Sequence, residues 1–343
     1  MAEPAGHGVL AAPLRILFER LPAGPVAAAV SGGADSAMLA VHAAEATRGR
    51  RPLLLFHVDH GLQAPSAEWA DRVRALGADL DVPVHVARVT VDAGDGGGVE
   101  AAARAARYAA LGELARAHGA GHVLLAHHLG DQAETVLLRL LRGSGLHGLQ
   151  AMAAETRRDG IAYLRPWLDV DRARILEAAS DYAARTGWRA VDDPTNADPL
   201  YTRAAVRTLL APALDARWPG WRRTMARHAR HVAQAVQVLD DVARADFDRL
   251  DPSDDGREFS LAAWRALPAV RQAPVLRHWF ARHGTGMPTE ARLEALARQL
   301  RQLHAMGHDR QMLFHHAAVT VRCVRGRVRL EARAGQGSRP AGL

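Results

Sequence analysis

The chain has 343 residues, with 44 basic against 37 acidic and a formal net charge of +7 with histidine neutral, a length that supports about two domains with separate cores. Hydrophobic residues make up 48% and charged residues 24%, no run approaches the roughly 18 apolar residues of a membrane span, and no basic-then-apolar leader opens the chain, so a cytoplasmic protein without a membrane partner is expected. The single cysteine, Cys323, excludes intrachain disulfides and cysteine-based zinc or iron–sulfur clusters, and the complete absence of lysine excludes Schiff-base, Walker-lysine and lysine-nucleophile chemistry.

All 44 cationic side chains are therefore arginine, most simply a coding bias. It nevertheless points to a polyanionic partner, because the planar guanidinium fork matches phosphate. In chain order, short apolar runs at 25–30, 52–58, 84–89 and 122–126 read as buried strands, and 36–48, 65–80 and 99–118 read as helices. Strand–helix alternation with continuously apolar strands predicts an α/β fold, a parallel sheet covered on both faces, with the ligand at the carboxyl ends of the strands. From Trp218-Pro219-Gly220-Trp221 the pattern turns mostly helical, with Leu293, Leu296, Ala297, Leu300 and Leu303 on one face of a helix at 289–304. A hairpin follows, Val319, Val321 and Cys323 leading to a turn near Arg325-Gly326 and a return through Val328 and Leu330. Residues from 334 onward are Gly/Arg/Pro-rich and expected to be disordered, and no internal repeat occurs.

The chemistry concentrates after the predicted strands. Ser31-Gly32-Gly33-Ala34-Asp35-Ser36 sits where the first strand hands over to a helix. Glycines there permit a tight turn, and the helix start offers amides and positive dipole to an anion. No Gly-Lys-Ser/Thr follows, so this is not a Walker loop. The pattern SGGxDS resembles the pyrophosphate loop of the N-type ATP pyrophosphatases, the PP-loop enzymes, which split ATP into AMP and pyrophosphate.

Four more clusters accompany the loop: His57-Val58-Asp59-His60-Gly61-Leu62 with Ser66; Glu100 through Arg104 and Arg107 to Tyr108; His127-His128-Leu129-Gly130-Asp131-Gln132-Ala133-Glu134-Thr135 with Arg142-Gly143-Ser144-Gly145; and Asp192-Asp193-Pro194-Thr195-Asn196 running on through Asp198, Tyr201, Arg203 and Arg207. Adenylation by ATP needs Mg²⁺ among phosphate oxygens and cations on the departing pyrophosphate. Asp35 and Asp131 each stand at a strand-to-helix corner and are candidates for one metal. Arg104, Arg107 and Arg203 are candidate phosphate clamps. Glu134, three residues after Asp131 and on the same helix face, is a candidate for a substrate ammonium. Each has a structural alternative: capping or core histidines, a solvated arginine face, ordinary turn chemistry at Asp193-Pro194-Thr195-Asn196.

In this order HVDHGL, ExxxRxxRY, HHLxDQAET, RGSG, RPWL and DDPTN…Y.R resemble the tRNA(Ile)-lysidine synthetases from about residue 24 to 215, and more loosely to about 331. The resemblance implies adenylation of the C2 oxygen of the wobble cytidine in an isoleucine tRNA with a CAU anticodon, then displacement of AMP by the ε-amine of free L-lysine. It implies a PP-loop catalytic domain at 1–217 and a mainly helical tRNA-binding domain at 218–333, either the shorter architecture of that family or a form without the small C-terminal domain of its longer members. Carried over, Ser31, Gly32, Gly33, Ala34, Asp35 and Ser36 would bind ATP, with His57, Asp59, His60, Arg104, Arg107, His127 and His128 around the nucleotide. Asp35 and Asp131 would hold Mg²⁺ and, with Arg203, form the catalytic set, while Glu134 would hold lysine. Gly130 replaces an acidic residue, and Ala204 an asparagine, that many members carry; the second change leaves Arg207 as a rival to Arg203. Arg223, Arg227 and Arg230 at i, i+4, i+7 form a basic stripe for tRNA, the Arg-rich hairpin at 322–333 is a second candidate, and a second copy of the chain is a further candidate partner.

Other readings stay open at this level. The tRNA thiolases need cysteines this chain lacks, and GMP or NAD synthetases share the ATP chemistry but not the HHLxDQAET-to-RGSG spacing. A catalytically silent tRNA-binding relative or another PP-loop amidating synthetase is the alternative.

Overall fold

The computed structural model describes residues 7–61, 66–90, 99–192, 198–303 and 312–333, the side chains of His7, Ser66, Ala67, Val99 and Glu100 apart. Leu62, the stretch Asp193-Pro194-Thr195-Asn196 and the tail from 334 lie outside those residues. Two compact units are present, Met1–Val232 and Ala233–Leu343.

In the first unit the chain runs α1 (His7–Arg20), β1 (Val26–Ala29), α2 (Ala34–Thr47), β2 (Leu53–Asp59), α3 (Ser66–Leu80), β3 (Val84–Arg88), α4 (Val99–Ala117), β4 (His122–Leu124), α5 (Leu129–Leu141), α6 (Leu146–Leu149), β5 (Glu155–Arg158), β6 (Ile161–Leu164), α7 (Arg172–Thr186), α8 (Thr202–Ala205), a π-helical turn (Val206–Leu210), α9 (Ala211–Arg217) and the start of α10 (Trp221–Asp248). The sheet order is β3-β2-β1-β4-β6-β5. β3, β2, β1, β4 and β6 pair in parallel, and only β5 is antiparallel. The expected parallel sheet is thus present. Because β2 and β4 flank β1, the strand order reverses beside β1, and a crevice opens there at the carboxyl ends.

Both faces are covered. On one, Leu10, Leu14 and Phe18 of α1, Ala37 to Val41 with Ala43 and Ala44 of α2, and Ile175, Ala178 and Tyr182 of α7 pack with Trp167. α2 is buried from Ser36 to Ala44 because it lies between α1, α7 and the sheet. The Trp167 indole, fully buried, donates to the Leu10 carbonyl at 3.0 Å. On the other face Tyr108, Leu111 and Ala115 of α4 cover Phe56, Val123, Leu125 and Tyr163. The edge strand β5 is exposed along its length and carries Glu155, Arg157 and Arg158, charges that discourage edge-to-edge pairing. It joins β6 through Asp159 (φ 50°) and Gly160 (φ 81°), an Asp-Gly hairpin turn.

The division between units falls inside α10, whereas the sequence expectation sets it before that helix, at 217/218. The first turns of α10 go with the first unit because Trp221 packs with Ala133 and Ala211, and Ala229 with Val136 and Ala151.

In the second unit β7 (Glu258–Ser260), α11 (Leu261–Ala266), α12 (Ala269–Arg282), α13 (Glu290–Gln302), β8 (Met312–His316), β9 (Val319–Val324) and β10 (Arg327–Ala332) follow. The expected hairpin, turning at Arg325 (φ 48°) and Gly326 (φ 76°), forms the centre of an antiparallel sheet ordered β7-β10-β9-β8. Phe259, Trp264, Trp279, Phe280, Leu296, Val321 and Val328 lie in one core.

Candidate active site

The turn after β1 is closed upon itself. Ser36 Oγ donates to the Gly33 carbonyl at 3.1 Å, accepts from the Ser31 amide at 3.0 Å and lies 3.1 Å from Ser31 Oγ. Gly32 takes φ +96°, and a Cβ there would stand 3.0 Å from Val191 Cγ2. Gly33, at the N-cap of α2, offers no side-chain cap, so the first amides of the helix are left for an anion. Asp35 is in that first turn.

Across the crevice, after β4, His128 caps α5. Its Nδ1 accepts from the amides of Gly130 at 3.0 Å and Asp131 at 3.4 Å, while Asp131 Oδ2 accepts from the His128 amide at 3.0 Å. A nitrogen that accepts two N–H groups carries no proton, so the ring proton of neutral His128 is on Nε2. That Nε2 stands 3.9 Å from Asp35 Oδ1 and 3.5 Å from Asp131 Oδ2. Two carboxylates from two sheet corners therefore converge on one N–H.

Arginines hold the outer sides of these acids. Arg207, on the π-helical turn, donates from Nε to Glu134 Oε1 at 2.6 Å and from Nη2 to Glu134 Oε2 at 2.9 Å and Asp131 Oδ1 at 3.1 Å. Arg203 is looser, 3.4 Å from Thr135 Oγ1 and 3.8 Å from Asp131 Oδ1. Arg172, at the start of α7, grips Asp35 with its fork at 3.2 to 3.3 Å. Burial pushes the Asp131 carboxyl up, but His128, His127, the His128 amide and Arg207 outweigh it and hold it below the ordinary range. Burial lowers the Arg207 guanidinium, yet the hydrogen bonds and charge of Glu134, with Asp131, raise it overall.

A second group gathers two arginines, both over Tyr108, and two histidines. Arg107 lies over the Tyr108 ring at 6.0 Å and has no hydrogen bond or ion pair among the described residues; burial lowers its pKa, and Arg104 and Arg203 lower it further. Arg104 lies over the same ring at 5.2 Å. His127 is pushed down to about 3 by burial, with Asp131 opposing and Arg165, Arg107 and Arg203 adding, and its Nδ1 is buried with no hydrogen-bond partner. His60, lowered by burial and then by Arg107, likewise has a buried, unpartnered Nδ1. The unpaired Arg107 guanidinium and Arg104, which donates to Tyr108 Oη at 3.4 Å, stand beside unsatisfied imidazoles and together form a receptacle for phosphate and other polar groups.

The structure thus brings together Asp35, His128, Asp131, Glu134, Arg203 and Arg207, with Arg104, Arg107, His60 and His127 alongside. Two expected nucleotide neighbours have local duties. His57 Nδ1 donates to the Val30 carbonyl at 2.8 Å, tying β2 to the start of the loop, and Asp59 Oδ1 accepts from the Gly61 amide at 2.9 Å. Ala204 is buried, and its carbonyl accepts from Thr208 Oγ1 at 2.9 Å. Gln132 pins the segment after α6 through reciprocal bonds with Met152 at 2.7 and 2.9 Å. Sequence reasoning missed Arg172. The available signal was its position after β6, which pairs in parallel with β4 and so delivers the next helix start to the same sheet edge.

Arg223 and Arg227 are exposed and unpaired among the described residues, whereas Arg230 is bound to Asp169 at 2.6 Å. In the hairpin Arg322 pairs with Glu331 at 3.5 Å, Arg327 with Asp251 at 2.5 Å and Arg329 with Glu258 at 3.0 Å.

The family model for the PP-loop domain matches residues 10–214, and that for the TilS substrate binding domain matches residues 259–329. The tRNA(Ile)-lysidine synthase of Bordetella bronchiseptica is 66% identical over 303 residues, 88% of each chain. That of Bordetella pertussis is 64% identical over 93% of this chain and 99% of its own, and that of Ralstonia nicotianae 41% identical over 92% of this chain and 66% of its own. Among solved structures, the U34-tRNA thiolase NcsA from Methanococcus maripaludis aligns with a TM-score of 0.54 at 15% identity, covering 65% of this chain and 78% of that one, a likeness of fold. With a PP-loop domain, a TilS substrate binding domain and relatives of this identity along most of its length, the chain belongs to the tRNA(Ile)-lysidine synthase family.

Proposed function

We propose that the protein joins free L-lysine to the wobble cytidine of tRNA(Ile) with a CAU anticodon, using ATP and Mg²⁺ and releasing AMP and pyrophosphate. The observation that carries this reading is the convergence of Asp35 and Asp131 on His128 Nε2 beside the Ser31–Ser36 loop.

The donor set fits magnesium, which takes one or two carboxylates and completes its shell with phosphate oxygens and water. Asp35 and Asp131 would hold it. Bound there, Mg²⁺ supplies neutralising charge to the phosphates. The loop fits a polyphosphate, since Gly32 admits no side chain and the first amides of α2 carry no cap. The orphaned nitrogens of His60 and His127 fit a nucleotide or nucleobase edge.

From these positions the roles follow. The start of α2 and the loop amides take the departing pyrophosphate, and Arg104, Arg107 and Arg203 stabilise charge gathering on the α-phosphate as the cytidine oxygen attacks. Burial lowers His127, which acts on the nucleotide by hydrogen bonding. Glu134 offers about four lone-pair positions, of which Arg207 takes two, and the remainder receive the lysine ammonium. Arg223 and Arg227 contact tRNA phosphates.

The test is incorporation of radiolabelled lysine by purified protein into tRNA(Ile) with a CAU anticodon. Label in the tRNA, dependent on ATP and Mg²⁺ and accompanied by AMP, is expected. Folded protein that binds this tRNA without incorporating lysine would overturn the reading.

A further inference from the structure

Asp35 is held by a residue with no part in the reaction so far. Arg172 places Nε 3.2 Å from Oδ1 and 3.3 Å from Oδ2, and Nη2 3.2 Å from Oδ2. Its backbone is fixed, because it is the first residue of α7 and Asp171 caps that helix through the Ala173 amide at 3.2 Å. Its side chain is open to water, 48% exposed against 26% for Asp35. The other arginine–carboxylate pair differs in this respect: Arg207 is 30% exposed, and its partners Glu134 and Asp131 only 9% and 11%. A solvent-open pair exchanges partners readily, whereas an enclosed one does not.

The charges give this difference a purpose. Asp35 and Asp131 both face His128 Nε2 and repel each other when no cation lies between them. Arg207 neutralises one side and Arg172 the other. A divalent cation and a guanidinium cannot share the oxygens of Asp35 without repelling, yet the nucleotide that brings the cation also brings phosphate oxygens, and a guanidinium fork binds those in two parallel hydrogen bonds.

We infer that Arg172 is an exchangeable counter-ion of Asp35: it holds the carboxylate in the nucleotide-free protein, yields it to the divalent cation, and moves its fork to a phosphate of the bound nucleotide. The exchange breaks and forms no covalent bond. The inference rests on the reading of Asp35 as a metal carboxylate.

Two affinities test it without turnover: that for Mn²⁺ alone, read by electron paramagnetic resonance, and that for α,β-methylene ATP with Mg²⁺, read by calorimetry without tRNA or lysine. In Arg172→Gln the Mn²⁺ affinity should rise about 2- to 5-fold, the reach of an exposed ion pair. The nucleotide affinity should fall about tenfold or more, as expected for a lost bidentate charged contact. Arg172→Lys, which keeps charge without the fork, should restore the weaker Mn²⁺ binding and only part of the nucleotide affinity, and it carries the test if the glutamine variant does not fold. A structural ion pair predicts no rise in Mn²⁺ affinity, so both affinities falling together, or neither changing, overturns the inference. Asp35→Asn separates the two levels: wild-type Mn²⁺ binding unchanged by that substitution means that the metal reading of Asp35 itself has failed.

Discussion

Arg207 holds Glu134 by both oxygens, Nε at 2.6 Å from Oε1 and Nη2 at 2.9 Å from Oε2, with Asp131 at 3.1 Å from the same Nη2. One guanidinium thereby serves two buried acids on one face of α5. Arg203, at 3.4 and 3.8 Å from its partners, does much less. Removing one partner of a buried pair costs about 3–5 kcal/mol, and with Arg207 30% exposed we expect about 2–3 kcal/mol for Arg207→Gln. Arg203→Gln should cost under about 1 kcal/mol of stability, its deficit appearing in turnover instead. Urea unfolding together with lysine incorporation separates the two; equal destabilisation would contradict the assignment.

The two loop glycines should respond differently to alanine. At Gly32 the positive φ and the 3.0 Å approach to Val191 strain any side chain, so Gly32→Ala should lose about 1–2 kcal/mol as well as ATP binding. A Cβ at Gly33 meets only Ser31 Oγ at 3.6 Å, an ordinary contact. Gly33→Ala should leave the thermal midpoint nearly unchanged, and weakened ATP binding in that variant would show that the ligand, and not the fold, requires glycine there.

Stability should depend on pH through His127. Burial pushes this imidazole down to about 3, while the unfolded chain takes up the proton near the ordinary histidine value of 6.5. The unfolded state then binds more protons throughout that window, so stability falls as pH drops from 6.5 toward 3. Between pH 7.5 and 5.0 the loss from this group is about 2 kcal/mol, and carboxylates titrate below that range. Urea unfolding at the two pH values should give a smaller difference in His127→Gln than in the wild type.

On the tRNA side, Arg223 and Arg227 are free to meet phosphates and Arg230 is engaged by Asp169. The double variant Arg223→Gln/Arg227→Gln should lower the salt slope of tRNA binding by about 1.5–2, and Arg230→Gln by less. Filter binding across a salt series reads both, and an unchanged slope in the double variant would remove the stripe from the interface.

The four parallel strands β1 to β4 and the helices between them were legible because periodicity reports burial, and the hairpin at Arg325-Gly326 because turn chemistry is local, whereas β6, α1 and α7 were not read. The β5–β6 turn carries the same kind of local signal in Asp159-Gly160. The π-helical turn was not legible, since no local pattern in Val206–Leu210 records that Arg207 must reach Glu134, 73 residues earlier. Motif reading named Asp35, Asp131 and Glu134 but could not tell which arginine each would face. That choice depends on distances between elements, and a sequence does not state them.

Gly130 bears on how the chain can change. A Cβ at this position would stand 2.9 Å from His128 Cε1 and 3.1 Å from Nδ1, so the bare backbone is what allows the ring to lie over the first turn of α5. A side chain at this position would displace the ring from its amides and turn its Nε2 proton away from Asp35 and Asp131. The bare backbone at 130 and the posture of His128 are therefore coupled, and any side chain introduced at 130 reaches the two carboxylates through the ring that caps α5.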